Sequence, residues 1–543
     1  MKLDLASVWE RIADIFPDAD AVVMGATRVS WKEFDDRAAR FAGALEARGV
    51  RPGSKVGLYL FNSPEYLIAH YGAFKHGCVP VNVNYRYLDE ELRYLIENSD
   101  SEAVLFHTSL APRVAAVQGK LPAVKVWFSV DDGGTRPEFA IDFTEALEQA
   151  GPQPRRERPD PAHYMLYTGG TTGMPKGVLY DQHDFVAGLY QQFAVVDWGV
   201  PIPDSLEQVE PFVRVVHERT RLVSVPCCPL MHGTGMWVGA MPAHLTGGTV
   251  VLLEGRSFDA DELITVIARE GVTRVVIVGD AFARPFLRAM EAAEAAGRLP
   301  DLSSVGQVIS SGAMWSAEIK DGMRRFLPNA TLIDALGSTE GGGYATQVAG
   351  SDSSGRTARF VPAPDTLLVD ESGVPLDPGA PGPGLLASRT AARGYYKDDE
   401  KTARTFTEID GRWYVITGDW ASREPDGTIV LHGRGSNCIN TGGEKVYPEE
   451  VEEALKRHPE VEDCLVVGVP DERFGERVVA VVERRPGTDP SGEELRDFLR
   501  SELSGYKIPK QLVVVDAVRR APNGKADYGW AKDIVLGASS AVR

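Results

Sequence analysis

Between Tyr167 and Gly177 the chain reads YTGGTTGMPKG, a run whose glycines, threonines and lysine suit the capture of an anion. Glycine lets backbone N–H groups approach a ligand closely, threonine hydroxyls add hydrogen bonds, and lysine adds a mobile positive charge. Thr168, Gly169, Gly170, Thr171, Thr172, Gly173 and Lys176 therefore make a candidate phosphate-holding loop, with ATP as the first candidate ligand. A Walker loop would need glycine immediately before the lysine and serine or threonine immediately after it. Lys176 instead follows Pro175 and precedes Gly177, so a different kind of phosphate loop is expected.

Further along, DALGSTEGG runs from Asp334 to Gly342 and SGAM from Ser311 to Met314. Small residues there permit close backbone approach, Thr339 offers a hydroxyl, and Glu340 can place anionic oxygen near a Mg2+ held by nucleotide phosphate. Taken alone, a Ser-Thr-Glu run more often caps a helix. Asp419 in YVITGDWA is an acceptor suited to two vicinal hydroxyls, and Arg434 in LHGRGSN is a directional donor fork. Each of these, and Lys525 in RRAPNGKADYGW, would by itself read as an exposed charge in a turn.

The ordered set, from YTGGTTGMPKG through GSTE and TGD to NGK, resembles the ANL superfamily of acyl-CoA synthetases, nonribosomal adenylation domains and luciferases, and the likeness covers nearly all of the 543 residues. The resemblance implies that Thr168–Gly173, Lys176, Ser311, Gly312, Ala313, Asp334, Ala335, Leu336, Gly337, Ser338 and Thr339 surround ATP. It further implies that Glu340 serves Mg2+, that Asp419 and Arg434 hold ribose and phosphate, and that Lys525 assists acyl-AMP formation. Gly442 and Gly443 would border the pantetheine arm of coenzyme A, a cosubstrate, and His232 in CCPLMHGTGMWVGA would gate the acyl site. Thr168, Glu340, His232 and Lys525 thus make the expected catalytic set.

Two positions depart from the family pattern: Leu336 stands where an aromatic neighbour of adenine is usual, and Ser436 where the hinge often carries Asp or Lys. The segments GDAFARP, GRGSNCINTGGEKVYPEEVE and KADYGWAK further resemble bacterial FadD-type ligases of fatty or steroid side-chain carboxylates. On this analogy a carboxylate attacks the α-phosphorus of ATP to give acyl-AMP and pyrophosphate, and the thiol of coenzyme A then displaces AMP. An acyl-AMP ligase that loads a carrier protein and a catalytically silent nucleotide-binding regulator are the alternatives.

These residues need a scaffold. SVWERIADIF and WKEFDDRAARFAGALEARG have helical periodicity, while SKVGLYL, TVVLL and TRVVIVG read as short strands, which together suggest α/β layers. The proline-containing stretch 201–221 reads either as an ordered excursion or as a linker. After YVITGDWASREPDGTIVLHGRG, two hairpin-like strands, the tail reads helix from Pro448, strand, strand, helix, strand. The expected fold is α/β, with a large multi-subdomain N-terminal adenylate-forming domain over 1–433 and a smaller mobile C-terminal domain over 434–543. A net charge of -19 argues against a nucleic-acid-binding face. Cys78, Cys227, Cys228, Cys438 and Cys464 show no CxxC spacing and are expected as free thiols, with Cys227 and Cys228 in packing rather than nucleophilic roles. With neither a secretory leader nor a transmembrane-length apolar run read in the sequence, a cytoplasmic location is expected; a homodimer is left open.

Overall fold

The computed structural model describes residues 1–158, 160–168, 174–194, 196–313, 315–348, 359–379, 382–434, 437–441, 444–471, 475–503, 505–521 and 524–540. The chain divides into two compact units: Met1–Ile277 with Arg288–Ile309 and Thr390–Arg404, and Val278–Leu287 with Ser310–Arg389 and Thr405–Arg543.

The first unit holds a fully parallel sheet in the order Val79–Asn82, Lys55–Tyr59, Ser101–His107, Val126–Val130, Ala140–Asp142. A second sheet sets Val223–Pro226 between Arg274–Ile277 and Thr249–Leu252, all parallel, and continues to Asp20–Met24 and Thr27–Ser30. Their central strands, such as Val126–Val130, Arg274–Ile277 and Thr249–Leu252, are wholly buried, as strands covered on two faces are. The helix Trp31–Ala47 starts at a capping box: Glu33 N donates to Ser30 Oγ at 3.2 Å and Ser30 N to Glu33 Oε2 at 3.0 Å. The helix Pro64–His76 has Pro64 at its first position and ends at Gly77, φ 80°. Nearly all its residues are buried, including His70, Lys75 and His76, so it is a core helix without a wet face. The stretch 201–221 is an ordered excursion that contains the helix Val209–Arg219.

The second unit contains an antiparallel meander in which Thr366–Val369, Pro383–Arg389, Arg412–Arg423, Ile429–Arg434, Arg359–Pro362, Gly342–Val348 and Thr331–Ser338 are neighbours in that order. It also contains a smaller sheet built on the hairpin Val461–Asp471 and Gly475–Arg484, with Gln511–Val515 parallel to the latter. Alternation decides how this sheet is covered. Cys464, Val466, Val478, Ala480 and Val482 pack with Val451, Leu455, Leu495 and Leu499 of the helices Pro448–Lys456 and Gly492–Glu502. Leu465, Val467, Val469, Val479 and Val481 pack with Ala531 and Val535 of the helix Tyr528–Ser540. The helix, strand, strand, helix and strand expected of the tail are all present. Among the described residues, no helix is long and apolar enough to cross a membrane.

Candidate functional site

In the first unit the glycine loop connects two antiparallel strands, His163–Thr168 and Lys176–Asp181, and Thr168 and Lys176 are direct cross-strand partners at its base. Gly169, Gly170, Thr171, Thr172 and Gly173 lie outside the described residues. Gly177 is closely packed: a Cβ there would meet Met165 Sδ and Tyr167 Cε2 at 2.8 Å. The Lys176 ammonium pairs with Asp398 and sits 5.8 Å from the centre of the Tyr395 ring, while Tyr396 N donates to Gly177 O at 2.8 Å. The segment around Tyr395–Asp398 thus fixes the direction of the lysine stem.

Asn82 joins this loop to the predicted acyl gate. Buried at the end of its strand, it accepts from Tyr167 N at 2.7 Å and donates through Nδ2 to Tyr167 O at 2.8 Å and to Met231 O at 2.7 Å. Met231 precedes His232, whose carbonyl accepts from Met236 N at 3.0 Å where the π-helix Thr234–Ala240 begins. Such wide turns occur mostly as short insertions, frequently at functional sites. Glycines make this one possible: a Cβ on Gly235 would lie 2.3 Å from Pro229 O, and one on Gly239 would lie 2.7 Å from Pro226 Cβ. Cys227 and Cys228 are buried beside it, and burial pushes both thiols up, Cys228 to about 12. They remain protonated at neutral pH, which fits packing rather than nucleophilic chemistry.

In the second unit the Gly-Ser-Thr-Glu run is a hairpin tip rather than a helix cap. Ala335, Leu336, Gly337 and Ser338 lie on Thr331–Ser338, paired with Gly342–Val348, and Thr339 and Glu340 form the turn between them. A Cβ on Gly337 would lie 2.2 Å from Gly342 O, so the tight crossing needs glycine. Asp334, on the same strand, has its carboxylate in the core: Lys320 Nζ lies 3.3 Å away and also donates to Gln347 at 2.8 Å. Burial raises the Asp334 carboxyl to about 6 despite the opposing pull of Lys320. Ser311, Gly312 and Ala313 follow the strand Gln307–Ser311, with Gly312 at φ 93°.

Asp419 and Arg434 are direct partners across two antiparallel strands, so residues far apart in sequence sit side by side on one sheet. A chain of hydroxyls runs from the hairpin tip to Asp419. Gly341 N donates to Ser338 Oγ at 3.1 Å, Ser338 and Tyr344 share a short hydrogen bond, and Tyr344 donates to Thr417 Oγ1 at 3.4 Å. Thr417 in turn donates to Asp419 Oδ2 in a short bond. The Tyr344 proton is directed to Thr417 and the Thr417 proton to the carboxylate. Burial pushes the Tyr344 phenol up, which keeps that proton in place. One oxygen of Asp419 is thereby held by the protein.

Lys525 is exposed, in a turn where Ala521 N donates to Lys525 O at 2.9 Å and Gly524 N to Ala521 O at 2.8 Å. Gly442, Gly443 and Ser436, the position where a hinge is expected, lie outside the described residues, and Arg434 is placed by its backbone. Among the described residues, no three His, Cys, Asp or Glu side chains form a metal cage. Glu340, in the turn of the hairpin, is the carboxylate expected to serve Mg2+, an ion that usually keeps water and phosphate oxygens as most of its ligands.

The sequence fits an established family. Residues 9–396 match the AMP-binding enzyme family and residues 450–525 the AMP-binding enzyme C-terminal domain, and the chain belongs to the AMP-binding enzymes. It is 41% identical over 545 residues to the medium/long-chain-fatty-acid–CoA/3-oxocholest-4-en-26-oate–CoA ligase of Mycolicibacterium smegmatis, covering 98% of this chain and 97% of that one. It is 39% identical over 546 residues to the 3-oxocholest-4-en-26-oate–CoA ligase of Rhodococcus rhodochrous, covering 98% and 96%. In fold it is similar to the anthranilate CoA ligase AuaEII in complex with anthranoyl-AMP, with a TM-score of 0.84, 22% identity and coverage of 99% and 98%. The expected α/β adenylate-forming fold is borne out.

Proposed function

We propose that this enzyme, an AMP-forming acid–CoA ligase, activates a medium- or long-chain fatty acid or a steroid side-chain carboxylate through acyl-AMP and transfers the acyl group to coenzyme A. The substrate class rests on the full-length similarity to ligases named for those acids. The observation that carries the chemistry is the alignment of Asp419 with Arg434 and its hydroxyl chain to the Gly-Ser-Thr-Glu hairpin. An oriented carboxylate beside an arginine suits a ribose diol next to phosphate.

In this reading Thr168–Gly173 and Lys176 hold the phosphates, and Ser311–Ala313 and Asp334–Thr339 form the nucleotide wall, with Leu336 packing where an aromatic would stack. Glu340 would hold Mg2+, whose charge offsets that of the phosphates. Lys525 stabilises the oxyanion that develops as the carboxylate attacks the α-phosphorus, a role for a cation aimed at charge formed in the transition state. Gly442 and Gly443 let the thiol arm pass, and His232 gates the acyl site. The functional boundary lies between 433 and 434, with Ser436 as the hinge of a mobile tail.

The test is a panel of aliphatic acids of graded length plus a steroid side-chain acid, followed for AMP and acyl-CoA. Acid-dependent formation of both, best with those classes, is expected. AMP without thioester would favour a carrier-loading ligase. ATP binding with no acid-dependent pyrophosphate release would overturn the enzymatic reading.

A further inference from the structure

The turn that presents Lys525 is braced from behind by buried charges that no motif names. Arg520 donates through Nε to Asp463 Oδ2 at 2.6 Å and through Nη2 to Asp463 Oδ1 at 2.8 Å. Its remaining nitrogen, Nη1, donates to Gly524 O at 3.2 Å, the carbonyl immediately before Lys525. Asp463 is also paired with the buried Lys456 at 2.8 Å. Burial works against ionisation of Asp463, yet Lys456 and Arg520 hold its carboxyl far below the usual range, so it is a permanent anion at neutral pH. The turn closes through the bridge between Arg520 and Ala526.

The other side of the turn rests on backbone. Gly524 has φ 72°, and a Cβ on it would meet Val278 Cγ1 at 3.0 Å and Val278 O at 3.1 Å. Val278 precedes Gly279, whose N–H donates to Ser310 Oγ at 2.9 Å, and Asp280, which accepts from Ser316 N at 2.8 Å. Glu462, next to Asp463, lies 3.7 Å from Arg284 on the helix that Asp280 begins. The lysine turn is therefore registered against Val278 and, through Glu462, against Arg284, in the segment that Gly279 and Asp280 tie to Ser310 and Ser316.

We propose that Arg520 and Asp463 are positioning residues for acyl-AMP formation, fixing the carbonyl of Gly524 and with it the direction in which Lys525 leaves the turn. This rests on the reading of Lys525 given above. The guanidinium geometry is what makes the arrangement work: one planar group satisfies both oxygens of Asp463 and still has a donor for Gly524. A lysine at the same place keeps the charge but lacks the fork.

Arg520→Lys and Asp463→Asn test it. Acid-dependent pyrophosphate exchange at saturating substrates should fall by about tenfold or more, with ATP and acid KM values within about twofold and thioester formation from supplied acyl-AMP and coenzyme A within about twofold. In a Lys525→Ala background, Arg520→Lys should add little, because a residue that acts through Lys525 has nothing left to position. Two results would overturn the inference: equal losses in both half-reactions, or an undiminished effect of Arg520→Lys in the Lys525→Ala background. Lys525→Ala alone reports on the underlying reading, since normal adenylation in that variant would remove the role of Lys525 whatever Arg520 does.

Discussion

Acid should destabilise the first unit through three buried histidines, and the size of the effect follows from their surroundings. His70 packs against Phe74 at 4.9 Å and Trp9 at 6.2 Å, and burial, with the nearby His244, lowers it to about 3. His244 sits among Trp9, Trp31 and Phe34, donates to Ala21 O at 3.0 Å, and is lowered to about 4 by burial. His107 is lowered to about 4, chiefly by burial, with Arg256 acting the same way and Asp132 opposing. Its Nδ1 accepts from Phe61 N at 3.1 Å, a bond that protonation would remove. All three bind protons less readily folded than unfolded, so stability is complete above the ordinary imidazole range and falls as pH drops through it toward the folded values. Each histidine then costs roughly 2 kcal/mol at about pH 5, or about 6 kcal/mol together. Urea midpoints followed by the fluorescence of buried Trp9 and Trp31 should show this loss between about pH 7 and about pH 5. His70→Phe should remove about a third of it, whatever constant stability change the substitution brings. Asp334, raised in pKa, contributes with the opposite sign, and the difference between the two proteins cancels it. Identical pH dependence in wild type and His70→Phe would refute the reasoning.

The hydroxyl chain makes Thr417→Val informative: losing the donor to Asp419 removes roughly 1.5 kcal/mol of carboxylate orientation, expected as about a tenfold rise in ATP KM. An unchanged KM would show that the carboxylate is set without Thr417. Arg274 is buried, bonds Gln307 at 3.1 Å, leaves Nη1 without a hydrogen bond and has no carboxylate partner among the described residues; burial lowers it to about 10. Arg274→Met should therefore stabilise the fold, by about 2 kcal/mol after the lost Gln307 bond is counted, and a lower urea midpoint would contradict this.

The sequence announces chemistry where local composition is extreme and falls silent where chemistry depends on distant partners. Period-two strands and helix-start signals are local properties, so the strands of the tail and the helix from Pro448 were legible. Asp398, which pairs with Lys176, stands 222 residues from it, and Asn82 is 149 residues from Met231; nothing in either neighbourhood points across such a gap. Thr417 was within reach: it lies two residues before Asp419 on one strand, hence on the same face. Tyr344 becomes visible only once Ser338 and Gly342 are known to pair, since a Ser-Thr-Glu run is equally good as a helix start. Arg520 is concealed by its surroundings, one of several charges near a lysine that itself reads as a surface turn.

The bracing of Lys525 also limits how that residue can move. Upstream, Arg520 ties the turn to Asp463 on the strand Val461–Asp471. Downstream, the helix Tyr528–Ser540 begins within three residues and buries Ala531 and Val535 against Leu465 and Val467 of that same strand. Asp527 reinforces the junction by accepting from Trp530 N at 2.9 Å. A flexible loop would let a lysine withdraw by itself, whereas this turn is joined at both ends to one strand in a closely packed core. Any displacement of Lys525 would therefore carry the strand and the helices packed on it, and it would strain the ion pairs of Arg284 with Glu462 and of Glu318 with Arg485 at 3.1 Å. Glu318 and Arg485 are partly exposed, and an ion pair so open to water holds only weakly.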